Sequence, residues 1–159
     1  MLFRSFDEFF EEVFQVFEDP NTWKLYPETE LVLRQLKGQG LELGIISNFD
    51  SRLFPVLRGL GIEQFFDTIT ISSLSQAAKP APKIFHLALE KHAVDPEDAV
   101  HVGDSLREDV EGARKAGLTS VLIDRSEAEI APGIHRIRSL DRKSTRLNSS
   151  HSQQSRMPS

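Results

Sequence analysis

The chain has no cysteine, and it holds only one tryptophan, one tyrosine and two methionines in 159 residues. Without cysteine there is neither a disulfide framework nor a thiolate metal site, and a reducing, cytoplasmic setting is the expectation. Positive charge is also in short supply. The formal net charge is −5, and no basic cluster interleaved with aromatics occurs in the body of the chain, which argues against general nucleic-acid binding. No apolar run approaches the roughly 20 residues of a membrane span, so a membrane partner is not expected. The opening MLFRSFDEFF is too aromatic and acidic for a secretory signal. Neither G-x-x-x-x-G-K nor G-x-G-x-x-G occurs, which weakens a nucleotide-binding reading. The remaining composition, 39% hydrophobic and 27% charged, is that of one ordinary α/β domain.

Phenylalanine, by contrast, is plentiful. Phe3, Phe6, Phe10, Phe14 and Phe17 recur at spacings of three and four with acidic residues mostly between them, predicting an amphipathic helix over Leu2 to Phe17 with one sticky face. EDPNTWKLYP then breaks the pattern, and a second helix is expected over Glu28 to Lys37, stopped at Gly38 and Gly40.

From there apolar runs alternate with helical patterns. Strands are expected over Leu41 to Ile46, Phe66 to Ile71, Ala99 to Val102 and Ser120 to Ile123. Helices are expected over Ser51 to Leu60, Pro82 to His92 and Glu108 to Ala116. IHRIRSL reads as a final short strand and turn. Strands separated by helices of this length imply right-handed βαβ units and a Rossmann-like parallel sheet with helices on both faces.

In such sheets ligands bind outside the carboxyl ends of the strands, and polar residues fall there by sequence alone. Asp104 follows the third strand and Asp109 lies in the first turn of the next helix, so the two carboxylates can face one hard cation such as Mg²⁺, which keeps most of its waters. They also suit a plainer role, Asp104 capping that helix and Asp109 complementing its dipole. Lys79 sits in AAKPAPKIF, a loop stiffened by Pro80 and Pro82, where an ammonium can meet a phosphoryl group; taken alone it reads as a solvated loop lysine. Ser47 and Asn48 offer a hydroxyl, an amide and backbone N–H groups to an anion, or simply a polar turn in which Asp50 or Ser51 caps the helix.

Together IISNFD, AKPAPKIF and HVGDSLREDVEGARKAGL resemble the second, third and fourth motifs of the haloacid dehalogenase-like hydrolase superfamily, over roughly Trp23 to Leu140. The resemblance implies that Ser47 hydrogen-bonds a transferring phosphoryl oxygen with help from Asn48, and that Lys79 offsets the charge of nucleophile and phosphoryl group. It further implies that Asp104 binds Mg²⁺ and that Asp109 binds the metal or orients its waters. The implied substrate is a small phosphorylated metabolite.

The resemblance also implies an aspartate nucleophile in a D-x-D motif on a first strand, and no D-x-D occurs. That strand belongs between the strand ending at Ser47 and the one ending at Gly103. If four or five buried side chains go with it, on the order of 10 kcal/mol is lost from a domain stability of about 5 to 15 kcal/mol, so the chain as written is expected to fold poorly or to close the gap in a non-native way, and to be inactive. Residues 1–22 then correspond to a remnant of a helical cap, 23–140 to an incomplete core, and 141–159, polar and aperiodic, to a non-native disordered tail resembling a translated library adapter. The alternatives are a non-catalytic binding protein of the same fold and a metal-independent haloacid dehalogenase. Two acids beside a metal-free aspartate would repel it, which favours the phosphatase. His86, His92 and His101 are expected to be packing or surface residues.

Overall fold

A computed structural model describes residues 5–126 and 132–141; the expected tail falls outside them apart from Asp141. The aromatic stripe forms helix α1, Phe6–Glu18, whose start is fixed by a capping box. Ser5 Oγ accepts the Glu8 amide and the Glu8 carboxylate accepts the Ser5 amide. Much of its apolar face is exposed: Phe6 is 77% exposed, and Phe9, Phe10 and Val16 are exposed as well. The inner side of α1 is tied down by cation–π contact. The Arg52 guanidinium lies 3.8 Å from the Phe14 ring centre, and edge-on contacts run from Phe17 to Trp23 and on to Phe49.

Helix α2 follows at Thr29–Gly38, then strand β1 at Gly44–Ser47, helix α3 at Leu53–Gly59, strand β2 at Thr68–Ile71 and the single turn α4 at Ser72–Ser75. Helix α5 spans Pro82–His92, strand β3 Val100–Gly103, helix α6 Gly112–Lys115, strand β4 Thr119–Ile123 and strand β5 His135–Ile137. β1 begins three residues later than its hydrophobicity suggests, because a carboxylate stands in for the ladder there. The Asp67 side chain accepts the Leu43 amide, and the Asp67 amide donates to the Leu43 carbonyl.

All ladders are parallel, as the alternation of strands and helices requires. They form two separate sets: β1 pairs with β2, while β4 lies between β3 and β5. Among the described residues β3 is paired on one side only, and Val100 on it is 62% exposed. The faces of the first sheet are covered from both sides, as the period of two along a strand dictates. Ile46 packs on a core of Ile84, Phe85, Leu89, Ala113, Ala116 and Leu118 from α5 and α6. Its neighbour Ile45 joins Leu33, Leu57, Ile62 and Phe65 on the opposite side. α5 is anchored to β1 and β2 at its end by His92, whose Nδ1–H donates to Glu42 and whose Nε2 meets the Thr68 hydroxyl at 2.6 Å. Gly44 has room for this ring only because it lacks a side chain; a Cβ there would lie 2.7 Å from Nε2.

Candidate functional site

The carboxyl ends of β1 and β3 carry the residues singled out by sequence. Ser47 is the last residue of β1; it is half-buried, and its hydroxyl has no partner among the described residues. Asn48 turns outward next, and both ends of its amide are engaged by the loop from β2 to α5. Its Oδ1 accepts the Lys79 amide at 2.7 Å and its Nδ2 donates to the Lys79 carbonyl at 2.9 Å, with a weaker bond to Glu108 at 3.3 Å. Asn48 thus closes a two-point clamp on the main chain of Lys79. Pro82 sits in the first turn of α5, where its missing N–H costs nothing, so the loop carrying Lys79 is pinned at both ends.

The clamp has a measurable consequence. Asn48→Ala leaves one N–H and one C=O of Lys79 without these partners, and we expect a loss of about 1 to 2 kcal/mol in urea-unfolding free energy. Asn48→Asp, which sets a carboxylate oxygen against the Lys79 carbonyl and the Glu108 carboxylate, should lose at least as much.

The side chain of Lys79 reaches the other half of the site. Its Nζ donates to Asp109 Oδ1 at 2.6 Å, and the pair is nearly dry, with the side chains 12% and 4% exposed. His101 Nε2 lies 2.9 Å from the same oxygen, and because a carboxylate only accepts, the ring proton is on Nε2. The second oxygen, Oδ2, accepts the Ser105 amide at 2.9 Å. Burial pushes the Asp109 carboxyl up, but the hydrogen bonds from His101, Lys79 and the Ser105 amide outweigh it and hold the group well below the usual carboxylate range.

This inward turn of Asp109 depends on local geometry that differs from the expected helix. The segment Leu106–Glu111 forms a wide π-helical turn before α6, in which the Asp109 and Val110 amides both donate to the Ser105 carbonyl. The cap is Ser105, whose hydroxyl accepts the Glu108 amide; Asp104 does not cap the helix, and neither Asp50 nor Ser51 caps α3. Asp50 instead binds the Arg52 guanidinium and amide. Gly103 completes the arrangement, since an added Cβ would fall 2.1 Å from Asp109 Cγ.

The structure therefore brings Asn48, Lys79 and Asp109 into one hydrogen-bonded chain and adds His101, which sequence reasoning passed over. Ser47 and Asp104 stand at the same end of the strands without joining that chain. Asp104 is exposed, with no side-chain partner among the described residues. Among the described residues no group of three or more His, Asp or Glu side chains is placed to hold a metal. The donor chemistry fits Mg²⁺ at Asp104, a carboxylate without a side-chain partner among the described residues and of the kind that cation takes singly, with waters filling its remaining positions; Asp109 Oδ2, which accepts the Ser105 amide, keeps a further acceptor site. Two clefts of about 340 and 300 Å³ open elsewhere, beside His86 to Pro96 and between β2 and Lys91, and neither touches these residues. Among the described residues no helix is long and apolar enough to cross a membrane.

A family model described as haloacid dehalogenase-like hydrolase matches residues 4–117. The haloacid dehalogenase-like hydrolase domain-containing protein 3 of Bos taurus is 39% identical over 113 residues, which are 71% of this chain and 45% of that protein. A phosphoserine phosphatase of Thermus thermophilus is 37% identical over 110 residues, 69% of this chain and 44% of the relative. Among solved structures, a HAD phosphatase from Thermococcus onnurineus superposes with a TM-score of 0.73 at 34% identity, covering 82% of this chain and 60% of the other. The chain spans about half the length of the curated relatives it matches.

Proposed function

Because the chain belongs to the haloacid dehalogenase-like hydrolase family, we propose that the whole protein is a Mg²⁺-dependent hydrolase of small phosphate esters acting through an aspartyl-phosphate, and that the chain as written is inactive. The observation that carries this reading is the buried Lys79–Asp109 pair, aimed at the carboxyl ends of the strands by the Asn48 clamp. Relatives named as phosphatases support the substrate class.

Each residue has a role that its surroundings allow. The unpartnered Ser47 hydroxyl donates to a phosphoryl oxygen. Lys79, held by Asp109, presents positive charge where the phosphoryl group and its nucleophile accumulate negative charge, and it needs no reorganisation to do so. Asn48 acts through Lys79, since its amide is already spent on the lysine's main chain. Asp104 would hold Mg²⁺, which when bound would neutralise phosphoryl charge, and Asp109, which holds the Lys79 ammonium, would bind the metal or orient its waters. On this reading the nucleophilic aspartate is carried on a further strand lying between β1 and β3, which belong to separate sheets here. Residues 1–22 belong to a cap over this end of the core.

The decisive experiment is to sequence the full-length transcript across both ends, then assay the whole protein on a panel of small phosphate monoesters with and without Mg²⁺. An upstream strand ending in D-x-D and metal-dependent turnover are expected. Asp104→Asn should raise the Mg²⁺ concentration for half-activity by at least about tenfold. Absence of the upstream aspartate would leave a non-catalytic binding protein, and metal-independent release of halide from 2-haloacids would make it a dehalogenase.

A further inference from the structure

We propose that His101 is a positioning residue, fixing the Asp109 carboxylate and through it the ammonium of Lys79. The inference rests on the reading of Lys79 and Asp109 as parts of the site. A histidine inside a strand ordinarily fills space, and His101 does pack, its ring standing edge-on to Phe85 at 5.1 Å between centres. Its other contact is of a different kind. Nε2–H donates to Asp109 Oδ1 at 2.9 Å, the same oxygen that Lys79 Nζ reaches at 2.6 Å.

A single carboxylate oxygen shared by two donors leaves Asp109 little freedom to rotate, and the Ser105 amide on Oδ2 removes most of what remains. The imidazole is itself held by its backbone in β3, a strand paired to β4 along its whole length, and by the fully buried Phe85. The direction of support thus runs from the rigid sheet through His101 to Asp109 and out to Lys79. Gly103 makes the path possible. Residues 101 and 103 share one face of β3, and the space that a side chain at 103 would occupy is where Asp109 sits.

The test separates a hydrogen-bonding role from space-filling, and separates both from catalysis. Acetylation rates of every lysine in the full chain are followed by mass spectrometry for the unaltered protein, His101→Leu and His101→Gln, with Lys24, Lys37, Lys83, Lys91 and Lys115 as internal references. Leu keeps apolar bulk without the donor, whereas Gln supplies an N–H near the position of Nε2 without the aromatic ring. With Asp109 no longer fixed by His101, its hold on the ammonium loosens, and Lys79 in His101→Leu should react roughly tenfold faster relative to the references, a change of the size of one charge-assisted hydrogen bond. His101→Gln should stay within about twofold of the unaltered protein.

A general rise at all lysines in His101→Leu, with Lys79 no faster than the references, would overturn the proposal, because it reports lost packing and not release of Lys79. Equal effects of the two variants, or no change at Lys79 in either, would overturn it. The labelling pattern is independent of turnover. If it holds and the whole protein hydrolyses no phosphate ester, the catalytic reading fails while the positioning of Lys79 stands.

Discussion

Gly103→Ala should abolish the native packing of the carboxyl-end site and unfold much of the chain. The new Cβ would lie 2.1 Å from Cγ, 2.4 Å from Oδ2 and 2.5 Å from Cβ of Asp109, distances that non-bonded carbon atoms do not reach. In an exposed pair the neighbouring side chain would swing away. Asp109 has nowhere to go: it is almost completely buried, and moving it strips Lys79 and His101 of their shared acceptor. Overpacking costs about 1 to 3 kcal/mol, and the broken buried pair adds to this, giving an expected loss of about 3 to 5 kcal/mol. In a sheet divided into two ladders that is a large part of the total. Dispersion of the amide NMR spectrum and the urea midpoint, compared with the unaltered chain, measure it. An unchanged spectrum would mean that the backbone of β3 shifts readily, contrary to the geometry above.

The second large effect is expected at Asp109 itself. Asp109→Asn preserves shape but removes the charge that balances Lys79 in a nearly dry site, and we expect a loss of about 3 kcal/mol at pH 7. The pH dependence gives the stronger test. The carboxyl titrates below its ordinary range in the folded protein, so the unfolded chain takes up the proton first as pH falls through about 4. Its contribution to stability is therefore fully present above that pH and is lost as pH falls toward the folded value. The gap in urea midpoint between the two proteins should be widest at pH 7 and narrow steadily below about pH 4. Asp50, beside Arg52, and Asp67, beside Lys37, also titrate low. They are common to both proteins, so the difference isolates Asp109. A gap that stays constant from pH 7 to pH 3 would show that the substitution acts through packing alone.

The fold was largely legible because its signals are local. α5 runs over Pro82–His92 as read, since Pro82 sets its start and the left-handed backbone at Ala93 ends it. The strands lie where apolar runs place them, with boundaries moved by side chains that replace backbone partners, as Asp67 does at Leu43. The aspartates of GDSLRED were visible as a pair, but their division of labour was not. Periodicity predicts that a helix follows; it says nothing about the wide turn that sends Asp109 inward and leaves Asp104 outside. Asn48 was read as a ligand group, and only the two bonds to Lys79 show that its amide is engaged within the protein. His101 carried one usable sign, a glycine two residues on along the same strand face, and that sign means little until the neighbour filling the space is known.

The division of the strands into two ladders has a consequence for how the molecule opens. Among the described residues the β1–β2 pair and the β3–β4–β5 set share no hydrogen-bonded register. They are joined by the packing of α5 and α6, by Lys79 on Asp109 and Asn48 on Glu108, and by Glu28 with Arg125 and Ser139. Amide exchange should therefore report two units with different opening free energies. The peptide groups on the open edges of β1 and β3 would trade their protons with solvent while the ladders behind them remain closed.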